Sequence, residues 1–184
     1  PAETFAALID LLAGEAGAFC VVIGGPDEAP LAAGVLDAVR RPEAVASVVG
    51  AVALRDLPTL LAACDLYVGN DSGPKHIAAA LGVPTLAVHS GTVDPVEWGP
   101  LGPAAVAVRR AMTCSPCYLA HAADCHRALA CLRGIRIADV WPLARRLLAL
   151  RRPASLAVPL PHAAEGAAPA RPRRAAPRAG RKRT

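Results

Sequence analysis

Residues 1–150 are predicted to form an α/β fold in which helices flank a parallel sheet. Three observations predict it. Short, wholly apolar runs alternate with segments of helical periodicity as far as residue 90, the pattern of successive βαβ units. The apolar runs are rich in β-branched residues and unbroken by polar ones, which suits strands covered on both faces. The chain is 54% hydrophobic but only 3% aromatic. Its core must therefore rest on Leu, Val, Ile and Ala, the residues that pack between helices and such a sheet.

The elements follow in order. Residues 4–16 place Phe5, Leu8, Ile9 and Leu12 on one helical face, closed by Gly14 and Gly17. Phe19 to Ile23 is a strand stopped by Gly24-Gly25-Pro26. A helix is expected over 28–40 and a short strand over Val45 to Val49. Leu54, Leu57, Leu60 and Leu61 recur at helical spacing, with Pro58 confined to the first turn. Leu66-Tyr67-Val68 is a strand, Asn70 to Pro74 a turn, and Lys75 to Leu81 a helix ended by Gly82. Val83 to Val88 is a further strand. Residues 91–104, rich in Gly and Pro, are expected as loop. Val106 to Val108 makes one more strand, and Ile137 to Leu150 a closing helix.

Charge divides the chain. Residues 151–184 hold nine Arg or Lys against one acid, Glu165, a net of +8; the total of +5 leaves −3 for residues 1–150. The folded part is mildly acidic, which argues against a basic globular face for nucleic acid. The Pro-, Ala- and Arg-rich tail 151–184 has no periodicity and is expected to be disordered. Its basic residues suit an anionic lipid surface at ~1 kcal/mol each. No apolar run reaches the ~18–20 residues of a transmembrane helix, and no signal-peptide pattern is present. Pro1 to Phe5 lead straight into a helix with no initiator Met, so the sequence reads as a fragment cut at an inter-domain joint.

The densest chemistry lies at Asn70-Asp71-Ser72-Gly73-Pro74-Lys75-His76. Strand, turn and helix in succession bring a helix N-terminus to the carboxyl edge of the sheet. Free N–H groups and the positive end of the helix dipole there form an anion site. Gly73 admits a ligand to the backbone, and Pro74 fits a turn that needs no N–H. Ser72 can donate a hydroxyl hydrogen bond. Lys75 and His76 would lie near a bound phosphate, and Asp71 can accept from sugar hydroxyls. Helix capping by Asp71 or Ser72 is the simpler reading, but capping needs only one of these side chains.

Asn70-Asp71-Ser72-Gly73-Pro74-x-His76-x-Ala78-Ala79-Ala80-Leu81-Gly82-Val83-Pro84-Thr85 resembles the signature of the lipopolysaccharide heptosyltransferase family, glycosyltransferase family 9. Gly24-Gly25-Pro26-Asp27-Glu28, Leu60 to Asp65, Gly91-Thr92-Val93-Asp94-Pro95 with Trp98-Gly99-Pro100, and the cysteine segment are similar to further motifs in the same order. The resemblance extends to about residue 141. It implies a GT-B architecture of two Rossmann-like domains, of which this chain is the C-terminal half. It implies inverting transfer from a nucleotide diphospho-sugar, typically ADP-heptose, to a lipid-linked lipopolysaccharide-type acceptor, with no cofactor required. Asp71 would contact the sugar, Ser72 and Gly73 the diphosphate with His76 close by, Glu28 the ribose, and the segment around Val52 the adenine. The general base would sit in the absent N-terminal domain; Asp71 reads better as a donor ligand, and Asp94 and Glu97 as loop carboxylates. A cytoplasmic enzyme, peripheral at the inner face of the inner membrane, is implied. Two departures stand out. Residues 51–54 read Ala-Val-Ala-Leu where the family commonly has Thr or Ser before Leu, and His89-Ser90 replaces a common aromatic-Gly pair.

Cys114-x2-Cys117-x7-Cys125-x5-Cys131 is a compact four-thiol set, with His121 and His126 as substitutes. A tetrahedral structural zinc site, two disulfides and four free thiols all remain open. A reducing compartment, the default without an export signal, favours zinc over disulfides. Cys20 and Cys64, in apolar surroundings, read as core residues. Besides sugar transfer, two functions stay open: a nucleotide-sugar epimerase on the same architecture, and a non-catalytic nucleotide-binding fragment.

Overall fold

The structure, a computed structural model, describes residues 1–150. The basic tail expected at 151–184 lies outside the described residues. Helix α1 (Ala2–Ala16) leads into β1 (Cys20–Val22), α2 (Ala29–Ala38), β2 (Val45–Ser47), α3 (Leu57–Ala62) and β3 (Tyr67–Asn70). Then come α4 (Gly73–Ala80), β4 (Thr85–His89), α5 (Pro95–Trp98), β5 (Ala105–Arg109), α6 (Ala130–Arg133) and α7 (Ile137–Leu148). Every strand pairing is parallel, as the apolar runs predict.

The strands fall into two hydrogen-bonded ladders rather than one. One pairs β1 with β2, Cys20 opposite Val45; the other has the order β3-β4-β5, with Tyr67 opposite Thr85 and Thr85 opposite Ala105. Side chains join them: Cys20, Leu66 and Val68 pack on the same apolar cluster. β4 is central in its ladder, and all five of its residues are buried. β1 is less covered than its apolar sequence predicts. Val21 is exposed and Phe19 is 63% exposed, since only one face of this short ladder is packed on a core cluster.

The layers follow from the two-residue alternation of strands. Leu66 and Val68 point to the cluster of Leu8 and Leu12 of α1, Leu86, Val88 and Val108 of the sheet, and Val140, Ala144 and Leu147 of α7. Tyr67 points the other way, to Leu57 and Leu61 of α3 and Ala78 of α4. So α1 and α7 cover one face and α3 and α4 the other. Gly17 and Gly82 close α1 and α4 with φ of 61° and 70°, a left-handed geometry that costs glycine little. Pro58 sits in the first turn of α3 as expected. Pro142 lies inside α7, where it leaves the carbonyl four residues back without its usual donor.

Two further differences have local causes. The stretch 91–104 is not all loop: Asp94 accepts from the Val96 N–H at 2.9 Å and caps the one-turn α5. The start of the helix expected at 28 is a 3₁₀ turn, Pro26–Glu28, because the Glu28 carboxylate folds back onto the Gly25 N–H at 2.7 Å. Asp10, buried in α1, accepts from the Arg40 N–H at 3.0 Å, the Arg40 Nε at 2.9 Å and the Arg41 N–H at 3.2 Å. The Arg40 hydrogen bond holds its carboxyl below the ordinary carboxylate value. Among the described residues no helix is long and apolar enough to cross a membrane.

Candidate functional site at the carboxyl edge of the sheet

The turn after β3 sits where parallel α/β sheets open their crevice, outside the carboxyl ends of the strands. The Asp71 N–H is still bonded to the Val88 carbonyl of β4 at 3.0 Å, so the turn starts anchored to the neighbouring strand. Ser72 is the N-cap of α4, yet its side chain makes no capping bond; its hydroxyl donates instead to the Asn70 carbonyl at 3.4 Å. Asp71 does not cap either. Capping therefore does not account for these residues, and the N-terminal N–H groups of α4 have no side-chain acceptor. Gly73 is exposed, and a Cβ added there would meet nothing within 4 Å. An approaching anion finds backbone rather than side chain.

The charged residues of the turn take up unequal positions. Lys75 is buried, 1% exposed, and its Nζ pairs with Asp71 Oδ1 across one helical turn. The ammonium is committed to this carboxylate. Asp71 itself is partly exposed, at 22% for its side chain, and keeps Oδ2 for other partners. His76 and Ser72 are exposed at the mouth.

Beneath the turn lies His89, the last residue of β4. It is fully buried, its Nδ1 stands 3.6 Å from Asp71 Oδ2, and neither ring nitrogen has a hydrogen-bond partner. Burial pushes its pKa below the ordinary imidazole value. Asp71 opposes the shift, while Lys75, His76 and Arg109 add to it. In the sequence His89 stands out only as a departure from the family pattern. A basic residue ending an all-apolar strand, opposite an Asp on the neighbouring strand's turn, is the signal that would have found it.

The sequence marks Tyr67 only as a strand residue. Its hydroxyl reaches over Gly69 into the space a Cβ there would occupy. Burial raises its phenol pKa, the Ser72 side chain beside it offsets part of this, and the charge of Glu28 adds to it. Tyr67 and Val52 pack on the same cluster. The Gly50 N–H donates to the Gly24 carbonyl at 3.0 Å, tying the turns after β1 and β2 together. Val52 thus shares a cluster with Tyr67, and Ser72 and Glu28 act on the Tyr67 hydroxyl. The Glu28 carboxylate is exposed but turned onto Gly25.

The cysteine segment docks on the loop after β4. The Cys117 N–H donates to the Gly91 carbonyl at 3.0 Å and the Tyr118 N–H to the Thr92 carbonyl at 2.7 Å. The Ser115 hydroxyl donates to Gly91 at 3.2 Å. Backbone and side-chain hydrogen bonds order these residues without any cross-link. Cys114, Cys117, Cys125 and Cys131 line one small cavity and are all free thiols. Backbone N–H groups of Gly91 and Leu129 donate to the sulfurs of Cys131 and Cys125, at 3.2 and 3.3 Å. The convergence expected of a closed tetrahedron is incomplete: among the described residues no group of three or more His, Cys, Asp or Glu stands ready to hold a metal ion. Cys20 and Cys64 are half-buried, and burial raises both thiol pKa values.

Comparison with known proteins agrees with the fold. A solved family 9 glycosyl transferase from Veillonella parvula DSM 2008 superposes with a TM-score of 0.67 at 27% identity, over 82% of this chain and 42% of that one. The structure of E. coli ADP-heptose LPS heptosyltransferase II superposes with the same TM-score and coverage at 24% identity, a likeness of fold alone. This chain thus spans about two-fifths of the length of these solved proteins. No curated protein matches it. The model of glycosyltransferase family 9 (heptosyltransferase) matches residues 1–124, more than half of the chain. With the parallel α/β fold in agreement, the chain belongs to glycosyltransferase family 9.

Proposed function

We propose that residues 1–150 are the donor-binding, C-terminal half of an inverting GT-B glycosyltransferase that moves a sugar from a nucleotide diphospho-sugar to a saccharide acceptor. The observation that carries this reading is the N-terminus of α4, uncapped by any side chain and open at Gly73. Its N–H groups and dipole favour a diphosphate in the ground state, and more so as negative charge grows on the leaving group. Asp71, fixed by Lys75, offers Oδ2 to a sugar hydroxyl. Glu28 and Val52 lie on the side where a ribose and base would extend. ADP-heptose as donor, and a lipid-linked lipopolysaccharide-type acceptor, are proposed on the family and on the name of the E. coli neighbour. The general base and the acceptor site are assigned to a part of the enzyme outside these residues. The tail 151–184 would hold the protein at the inner face of the membrane.

Calorimetric titration tests the reading. ADP should bind, more tightly than UDP, and the isolated chain should turn over no ADP-heptose. Equal or stronger binding of UDP removes the adenine assignment, and turnover by residues 1–184 places the base within them.

We also propose that the cysteine segment takes up one structural zinc, on the shared cavity and the two N–H groups already aimed at sulfur. The thiols must draw closer to bind it, and no step of transfer passes through the metal. Protein purified without chelator should carry about one equivalent of zinc with thiolate ligands at ~2.3 Å. Metal-free protein with four freely reacting thiols contradicts this.

A further inference from the structure

A second cluster of cations lies beyond the donor turn. Arg110, Arg127 and Arg133 line one open surface pocket, floored by Met112, Ala130 and Gly134. All three arginines are exposed, and none has a carboxylate partner among the described residues. The three side chains gather unpaired positive charge at one pocket, which an anion there would offset.

The placement of Arg110 is specific. Its Nη1 donates to the Gly134 carbonyl at 3.3 Å, and its side chain lies where a Cβ on residue 134 would be, 2.6 Å from Arg110 Cδ and Nη1. Only glycine at 134 lets Arg110 lie in this position. Arg127 precedes Ala128 and Leu129, both at positive φ, which turn the chain sharply back toward α6 and Arg133.

The pocket also has a defined relation to the donor turn. Arg110 follows Arg109, the last residue of β5 and the register partner of His89. In the order β3-β4-β5, the pocket therefore leaves the same carboxyl edge two strands away from Asp71. At ~4.8 Å per strand the two strand ends lie about 10 Å apart.

We propose that this pocket binds a phosphate group carried by a second ligand, beside and distinct from the anion site at α4. Guanidiniums match the planar, bidentate demands of phosphate oxygens. Two sources share this chemistry: a phosphorylated saccharide in solution and the headgroup of an anionic lipid. The inference does not rest on the nucleotide reading, because the arginines and the α4 turn share no residue.

The test uses the full chain. Glucose 1-phosphate is titrated against isotope-labelled protein with the α4 site saturated by ADP, and sedimentation with phosphatidylglycerol vesicles is measured in parallel. Both are repeated on the R110Q/R127Q/R133Q variant; thermal melting checks that these exposed changes leave the fold intact. Resonance shifts at 110–112 and 127–134, weakened at least tenfold in the variant, support a soluble phosphorylated ligand. Vesicle binding that falls at least tenfold in the variant, without those shifts, supports the lipid headgroup; the unchanged tail is present in both proteins. Failure of both arms, an equal response from the variant, or shifts confined to 70–76 overturns the proposal. If ADP fails to bind while the arginine arm succeeds, the nucleotide reading falls and this one stands.

Discussion

Replacing Asp71 by Ala should destabilise the protein by about 3–5 kcal/mol, because it strands a buried ammonium. Lys75 is the dry member of the pair, 2% exposed in its side chain against 22% for Asp71, so the loss falls on the group least able to find water. At roughly 2–4 °C per kcal/mol for a chain of this size, the melting temperature should drop by about 10 °C. Adding Lys75→Met to Asp71→Ala should recover most of that loss, since an apolar pair of similar volume is often as stable as the ions it replaces. Lys75→Met alone should cost less than Asp71→Ala, since Asp71 can hydrate. Thermal melts of the four proteins form a complete double-mutant cycle. Additive effects would show that the two side chains do not act as a pair. In the rescued double variant, binding of the nucleotide-sugar should stay weaker than in the parent, while binding of the bare nucleotide should not, because stability returns but the carboxylate proposed to hold the sugar does not.

Leu86→Ala should be the other costly change, at about 2–5 kcal/mol. Leu86 is fully buried at the middle of β4 and packs between α1 and α7. A rigid sheet cannot collapse into the space left behind, so the upper half of that range is expected. Chemical denaturation should show an earlier midpoint with an unchanged slope. A cost below about 1 kcal/mol would mean that β4 is not the centre of the core.

Much of the fold was legible because apolar run length and helix period are local signals. Val83 to Val88 reads as a strand, and the strand observed, Thr85–His89, is buried along its whole length. The turn at 70–76 was legible for the same reason: glycine, proline and polar residues crowd between a strand and a helix. What escaped depends on tertiary context. A lysine in the first turn of a helix reads as a cation near a bound phosphate, yet Lys75 is buried against Asp71. Only the packing of α4 on the sheet determines this. The gap between the two ladders was not legible either, since apolar composition cannot say which strand edges meet. The one-turn α5 hid within a Gly- and Pro-rich stretch, although Asp94 followed by Pro95 is a capping signal. Tyr67 gave a faint sign in Gly69, two residues along the same face, which makes room for its hydroxyl.

The most direct measurement is an ADP titration of the labelled chain followed residue by residue by NMR. Binding at the open N-terminus of α4 predicts the largest shifts at Asn70 to His76, with a second set at Gly24 to Glu28 and around Val52. Helix α7, on the opposite layer, should stay silent. Saturating shifts confined to other residues, or no change at millimolar ADP in a chain that is demonstrably folded, would contradict a donor site on this domain.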